Sequence, residues 1–177
     1  MTHVVLLRGV NVGGYRTFRP AMFAKQLQHL DAVNIGAAGT FVIRKRVSRT
    51  QLRAELMRRL PFETHIMICS SREITRLVSQ DWFGRTPSRR DVVRFVSLLS
   101  RAPRVAPRLP MTLPPRGQWM LRVLAYDGRF VIGEYRRQMK AIGYLGTLDR
   151  VFGSPATTRN WNTITAIAKV LDRDTTT

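Results

Sequence analysis

The sequence has few of the residues from which many catalytic centres are built. Its 177 residues include one cysteine, Cys69, and three histidines. One cysteine excludes an internal disulfide, and no metal-ligand spacing such as Cys-x-x-Cys occurs. No stretch approaches the roughly 18 apolar residues of a membrane span, and the first residues lack the basic lead and cleavage site of a signal peptide. We therefore expect a cytoplasmic protein with no membrane segment, no metal and no cofactor.

Negative charge is the other scarce property. Eleven Asp and Glu face 30 Lys and Arg, which gives a net charge of +19, and 26 of the bases are arginine. Residues 1–80 carry 13 bases and 4 acids, and residues 81–177 carry 17 and 7, so the excess belongs to the whole chain. The electrostatic field of such a positive charge attracts polyanions, and an arginine side chain can donate two hydrogen bonds to one phosphate. The alternative interpretation is a solvated basic surface that reflects an arginine-rich composition.

The spacing of apolar residues predicts an α+β fold in two parts. In residues 1–80 the order of elements is β-α-β-β-α-β, which is typical of a ferredoxin-like subdomain. The expected elements are strands at 4–7, 33–35, 41–43 and 65–69 and helices at 20–30 and 50–60. A capping box formed by Ser70 and Glu73 then predicts one further helix.

Residues 81–177 are predicted to form a second, smaller α+β subdomain packed on the first. Strands are expected through 92–96, 119–125 and 129–135, with Asp127-Gly128 as the turn of a hairpin. A helix is expected over 141–152. The polar block 155–163 is expected to supply the caps of a terminal helix whose apolar face begins at Trp161. The five prolines of segment 102–115 exclude a helix or a central strand there.

Two groups of bases are the candidates for contacts with nucleic-acid phosphates. The first is Arg44, Lys45, Arg46, Arg49, Arg53 and Arg58, and the second is Arg136, Arg137 and Lys140. The alternative is that these side chains form ordinary solvated surfaces. RNA-binding modules on this type of sheet stack bases on strand aromatics, whereas here only Phe41 lies at a strand centre and we expect it in the core.

Two further segments are candidates for a small-ligand site. A glycine-rich loop after the first strand contains Arg8, Asn11, Gly13 and Gly14, and the polar block contains Thr158, Arg159, Asn160 and Asn162. A cleft between loop 9–14 and segment 157–163 would provide hydrogen-bond donors for a bound anion near the start of a helix. The alternative for the glycine-rich loop is a tight connection from a buried strand, and the alternative for the polar block is a heavily capped helix. No base, nucleophile or metal centre is visible, so no catalytic residue is assigned.

The two segments together resemble a known family. Leu6-Leu7-Arg8-Gly9-Val10-Asn11-Val12-Gly13-Gly14 and Ala156-Thr157-Thr158-Arg159-Asn160-Trp161-Asn162-Thr163 are similar to blocks of the DUF1697 family of small bacterial proteins. The resemblance implies an α+β fold of two packed subdomains, the first ferredoxin-like, and implies no activity. One departure is that the family's Ser-Gly-Asn turn after the second strand corresponds here to Ala38-Gly39-Thr40.

Three hypotheses of function follow. The first is a non-enzymatic protein that binds DNA or RNA, or another polyanion, through phosphate contacts with little sequence preference. The second is a protein or enzyme that binds a phosphorylated metabolite in the cleft between loop 9–14 and segment 157–163. The third is a structural or oligomeric role with the proline-rich segment as an interface. The sequence gives no oligomeric state.

Overall fold

The computed structural model describes residues 1–11 and 18–175, which form an α+β protein with two antiparallel sheets. The chain divides into two compact units. The first unit comprises Met1–Ser79 together with Thr163–Thr177, and the second comprises Gln80–Asn162. The terminal segment from Thr163 onwards therefore groups with the first unit, although the sequence pattern placed it in the second.

The first unit contains a four-stranded sheet in the order β2-β3-β1-β4. Its strands are β1 His3–Leu7, β2 Ala32–Asn34, β3 Thr40–Ile43 and β4 Ile66–Ser70. Its helices are α1 Pro20–Gln26, a 3-10 turn Gln28–Leu30, α2 Arg49–Arg59 and α3 Ser71–Val78. The expected helix over 20–30 is thus an α-helix followed by a 3-10 turn.

The core of this unit explains why β1 is apolar from Val4 to Leu7. All five residues of β1 are buried. In the antiparallel register Val5 lies opposite Phe41 and Ile68, and these residues pack with Leu52 and Leu56 of α2 in one cluster. Alternate side chains of a strand point to opposite faces, so a strand buried on both faces favours apolar residues at every position. The exception is His3, whose Nε2 forms a hydrogen bond with the Val47 carbonyl at 2.9 Å.

Capping residues set where two helices begin. The Ser70 hydroxyl accepts a hydrogen bond from the Glu73 amide, and the Glu73 carboxylate accepts one from the Ser70 amide. This confirms the predicted capping box. Ser48 and Gln51 form the same arrangement at the start of α2. Each box satisfies backbone N–H groups that a helix leaves without partners at its start.

The second unit contains a five-stranded sheet in the order β6-β7-β8-β5-β9. Its strands are β5 Val92–Leu99, β6 Met111–Leu113, β7 Leu121–Asp127, β8 Phe130–Arg136 and β9 Ala156–Asn160. Its helices are α4 Met139–Gly146 and α5 Leu148–Phe152. Gly128 has a φ of 59° in the turn between β7 and β8, as the Asp-Gly pair predicted.

Two expectations for the second unit are corrected. The polar block is not a loop of helix caps, because Ala156–Asn160 is strand β9 and pairs with β5, with Thr158 opposite Ser97. Helix α6, Trp161–Thr175, starts directly after it. The helix expected over 141–152 is interrupted at Thr147, between α4 and α5. Over the described ranges 1–11 and 18–175, no helix has the length and apolar character of a membrane span.

Candidate functional site

A basic hollow of about 520 Å³ lies on the first unit. Backbone hydrogen bonds bring its walls together: the Lys45 amide donates to the Leu30 carbonyl at 3.2 Å, and the Arg44 amide donates to the Asp31 carbonyl at 3.2 Å. These bonds hold the segment after β3 beside the 3-10 turn, and α2 begins just beyond. The lining residues are His29, Leu30, Lys45, Arg46, Val47, Gln51, Glu55, Arg58 and Arg59.

One carboxylate lies among the bases of the basic hollow. Glu55 accepts hydrogen bonds from the Arg58 Nη2 and the Arg59 Nε, and His29 Nε2 lies 3.0 Å from its Oε1. The hydrogen bonds from Arg58 and then Arg59 lower the pKa of Glu55 from 4.5 to about 2, because they stabilise the ionised form. The carboxylate therefore offsets part of the charge on the α2 wall and remains ionised at neutral pH.

The bases on the opposite wall are not offset in this way. Lys45 and Arg46 are exposed, and in the described part of the chain neither side chain has a carboxylate within 4.0 Å. Arg53 of α2 is also exposed but does not line the hollow. The structure thus gathers Lys45, Arg46 and Arg58 of the predicted cluster, with Arg59 added.

The two remaining bases of the first cluster form ion pairs. Arg44 Nη1 lies 3.8 Å from Asp31 Oδ1, and Arg49 Nη2 lies 3.4 Å from Glu73 Oε2. Exposed pairs of this kind contribute little to stability. They also exchange readily, but each carboxylate reduces the local positive charge that a phosphate would meet.

The second predicted cluster lies in the other unit and is not a uniform basic surface. Arg136 donates to the Trp119 carbonyl at 2.9 Å and to Asp91 Oδ2 at 3.0 Å, and its guanidinium lies 4.5 Å from the Trp119 ring centroid. These contacts hold Arg136 within the protein. Arg137 donates from Nε to the Arg90 carbonyl at 2.9 Å, whereas Lys140 of α4 is exposed.

The glycine-rich loop is described only in part. Gly13 and Gly14 lie outside the described residues. Asn11 has a φ of 55°, and its side chain donates to the Phe18 and Ala37 carbonyls at 3.0 and 2.8 Å and accepts from the Phe18 amide at 3.0 Å. The Arg8 carbonyl accepts from the Thr64 hydroxyl at 2.6 Å. The Asn11 amide thus joins the two ends of the loop.

The residues of the polar block are distributed between strand β9 and the start of helix α6. The Thr158 and Ser97 hydroxyls lie 2.6 Å apart. Arg159 is 6% exposed and donates from Nη1 to the Thr157 hydroxyl at 3.0 Å and the Thr158 carbonyl at 2.8 Å. Burial lowers the pKa of Arg159 to about 10. Asn160 and Asn162 are exposed.

Asn160 and Asn162 line a polar cleft of about 230 Å³ in the second unit. The other lining residues are Ser88, Val92, Val93, Arg94, Tyr135, Arg137 and Trp161. The sequence did not predict Arg94 and Tyr135 as site residues. The pairing of β5 with β8 and β9 brings them to the cleft, and motif spacing does not reveal this pairing. Across residues 1–11 and 18–175, no three His, Cys, Asp or Glu side chains converge on a common metal position.

The comparisons with known proteins identify the family that the first block, residues 6–14, resembles. A family model described as "Protein of unknown function (DUF1697)" matches residues 1–110. The chain belongs to the DUF1697 family. None of the curated proteins matches the sequence.

A solved structure has a similar fold over nearly the whole chain. This is the conserved bacterial protein SP0830 from Streptococcus pneumoniae, which is 15% identical, with a TM-score of 0.59 over 96% of this chain and 98% of that one. At that identity the likeness concerns the fold alone. The DUF1697 chain and SP0830 thus share an α+β architecture.

Proposed function

We propose that this DUF1697 protein is a cytoplasmic protein that binds DNA or RNA through phosphate contacts in the basic hollow. The observation that carries the proposal is the exposure of Lys45 and Arg46, without carboxylate partners in the described part of the chain, beside Arg58 and Arg59. Four bases face one carboxylate in the lining, that of Glu55. A phosphate that enters the hollow replaces water at Lys45 and Arg46 and releases counterions from the nucleic acid.

The expected binding has little sequence preference. Phe41, the one strand-centre aromatic of the first unit considered for stacking, is 0% exposed and packs against Phe23. A base therefore cannot stack on it. Backbone phosphates are alike at every step of a nucleic acid, so contacts with them position the protein without reading bases.

We also infer that the first unit is a ferredoxin-like subdomain. Its strand order β2-β3-β1-β4, with all neighbours antiparallel, and the β-α-β-β-α-β order of its first elements support this assignment. The additional helix α3 follows β4. In this unit the helices α1 and α2 contribute to the same core cluster, and the hollow lies along α2, from Gln51 to Arg59.

Neutralising Lys45 and Arg46 tests the proposal. The double variant K45Q/R46Q removes two charges from the basic hollow, whereas K25Q/R72Q removes one lysine and one arginine charge from exposed positions elsewhere in the same unit. Binding of a fluorescein-labelled oligonucleotide is followed by anisotropy, with single-stranded DNA, single-stranded RNA and duplex DNA as probes. We expect roughly tenfold weaker binding for K45Q/R46Q and a much smaller change for K25Q/R72Q.

Two controls make the result decisive. Unlabelled poly-glutamate as competitor distinguishes phosphate recognition from general attraction to anions, and it should displace the oligonucleotide poorly at equal charge. An equal loss of affinity in the two double variants would contradict the assignment to the basic hollow. No binding of any probe at low salt would refute the function itself.

A further inference from the structure

The polar cleft of the second unit has a second set of donors, separate from the basic hollow. It is lined by residues from the ends of β5, β8 and β9 and from the start of α6. Its lining contains two arginines, two asparagines, a serine and a tyrosine, and no Asp or Glu. A cleft with many donors and no carboxylate favours an anion over a cation or a neutral ligand.

Tyr135 supplies a hydroxyl for which the described residues offer no partner. Its ring packs against the core of the second unit, 5.9 Å from the Phe95 ring. In the described ranges its hydroxyl has no hydrogen bond. A buried tyrosine hydroxyl usually has a hydrogen-bond partner. Because the ring contacts the core while the side chain also lines the cleft, we take the hydroxyl as the part that meets a ligand.

Arg137 supplies a guanidinium that is anchored at one atom. Its Nε donates to the Arg90 carbonyl at 2.9 Å, while Nη1 and Nη2 have no partner among the described residues. Burial raises the pKa of Tyr135, and the positive charge of Arg137 partly offsets that rise. Both side chains line the same cleft of about 230 Å³, which brings them within reach of one bound anion.

Arg94 also lines the cleft and is held in place by three contacts. Its Nη2 donates to the Thr86 carbonyl at 2.6 Å, its Nε lies 3.5 Å from Glu134 Oε1, and its guanidinium lies 4.6 Å from the Phe83 ring centroid. A side chain fixed at three points loses little conformational entropy when a ligand arrives. Arg94 thus needs little reorganisation, although Glu134 offsets part of its positive charge.

We propose that the polar cleft binds the phosphate group of a small phosphorylated molecule, with the Tyr135 hydroxyl and the terminal nitrogens of Arg137 as its main donors. A volume of about 230 Å³ holds a phosphate and a few carbon atoms but leaves no room for a nucleotide chain. The three oxygens of a phosphate monoester suit a guanidinium fork together with a hydroxyl. The inference does not depend on the basic hollow, whose residues belong to the other unit.

Calorimetric titration of the full chain with inorganic phosphate and with glycerol 3-phosphate tests this site. We expect saturable binding of one ligand per chain, weakened about fivefold in Y135F and about tenfold in R137Q. Tyr144→Phe is the matched control for the first variant, since Tyr144 packs against the same core but does not line the cleft. Arg116→Gln, at an exposed position outside the cleft, is the control for the second.

The possible outcomes separate this site from the proposed function. Retention of phosphate binding in K45Q/R46Q, with loss in Y135F and R137Q, supports the cleft even if no oligonucleotide binds. Absence of saturable binding of both phosphates, or equal weakening in Y144F and R116Q, overturns it. If Y135F and R137Q weaken oligonucleotide binding while neither small phosphate binds, the cleft contacts a nucleic-acid backbone and the small-molecule proposal fails.

Discussion

Gly133 of β8 shows how a single position can be fixed by its neighbours across the sheet. A Cβ atom added there would lie 2.1 Å from the Arg122 carbonyl oxygen and 2.8 Å from the Phe95 ring. Both neighbours belong to the adjoining strands β7 and β5. Nothing in the local sequence marks this glycine, because the contact arises only from the strand pairing.

The variant Gly133→Ala is therefore expected to destabilise the protein by roughly 2 kcal/mol or more, since backbone and a buried ring must shift. Gly143→Ala is the matched control, because Gly143 lies in helix α4 and an added Cβ would meet no atom within 4 Å apart from its chain neighbours and the local helix backbone. Alanine favours a helix over glycine, so this change should stabilise by up to about 1 kcal/mol. Urea unfolding of both variants measures the difference. Equal stabilities would contradict the tight packing at Gly133.

Glu55 is expected to make stability depend on pH in the acid range. Its pKa is lowered in the folded protein, from 4.5 to about 2, so its ionised form favours folding. That contribution is complete above about pH 4.5 and is lost as the pH falls towards 2. In Glu55→Gln the acid-induced fall in the free energy of unfolding should be smaller over this window. Glu63→Gln, at an exposed position, is the control, and identical pH profiles for Glu55→Gln and the parent would contradict the account.

At the scale of elements, the sequence predicted those whose local signals agree with their tertiary surroundings. The strand β1 and the helices α2 and α3 carry consistent apolar spacing and capping residues. The sequence did not predict strand β9. Its residues Thr157, Thr158 and Asn160 also favour helix caps and turns. Its strand conformation comes from pairing with β5, more than 50 residues earlier in the chain.

The sequence predicted only part of the candidate sites, as it predicted only part of the secondary structure. Lys45 and Arg46 stand out in the sequence as part of a dense basic run, and the structure leaves them exposed. The burial of Arg159 and the contacts of Arg136 with Trp119 and Asp91 depend on the sheet of the second unit. Composition cannot distinguish such an arginine from one that is free to meet a phosphate.

The hydroxyl pair between β5 and β9 gives a test of the corrected strand. Ser97 is 0% exposed, and its hydroxyl lies 2.6 Å from that of Thr158. Thr158→Val leaves a buried hydroxyl without its partner and should cost about 1–3 kcal/mol, whereas the double variant Ser97→Ala/Thr158→Val should cost less than the sum of the single changes. A double-mutant cycle by urea unfolding measures the coupling. Strict additivity would show that the two hydroxyls do not interact.

At the scale of the whole molecule, the net charge of +19 and the local arrangement of bases have different consequences. The net charge attracts any polyanion over a distance set by the ionic strength. The basic hollow instead concentrates contacts at a few positions, Lys45 and Arg46 above all. If the hollow is the binding site, these two residues will account for a defined part of the salt dependence.

The slope of log K against log salt concentration for duplex DNA, measured between about 50 and 200 mM salt, tests this most directly. Each neutralised phosphate contributes about 0.9 to the magnitude of the slope. The account predicts that K45Q/R46Q lowers this magnitude by about 1.8, while K25Q/R72Q leaves it nearly unchanged. Equal slopes for the parent and K45Q/R46Q, or the same reduction in both double variants, would contradict binding through the basic hollow.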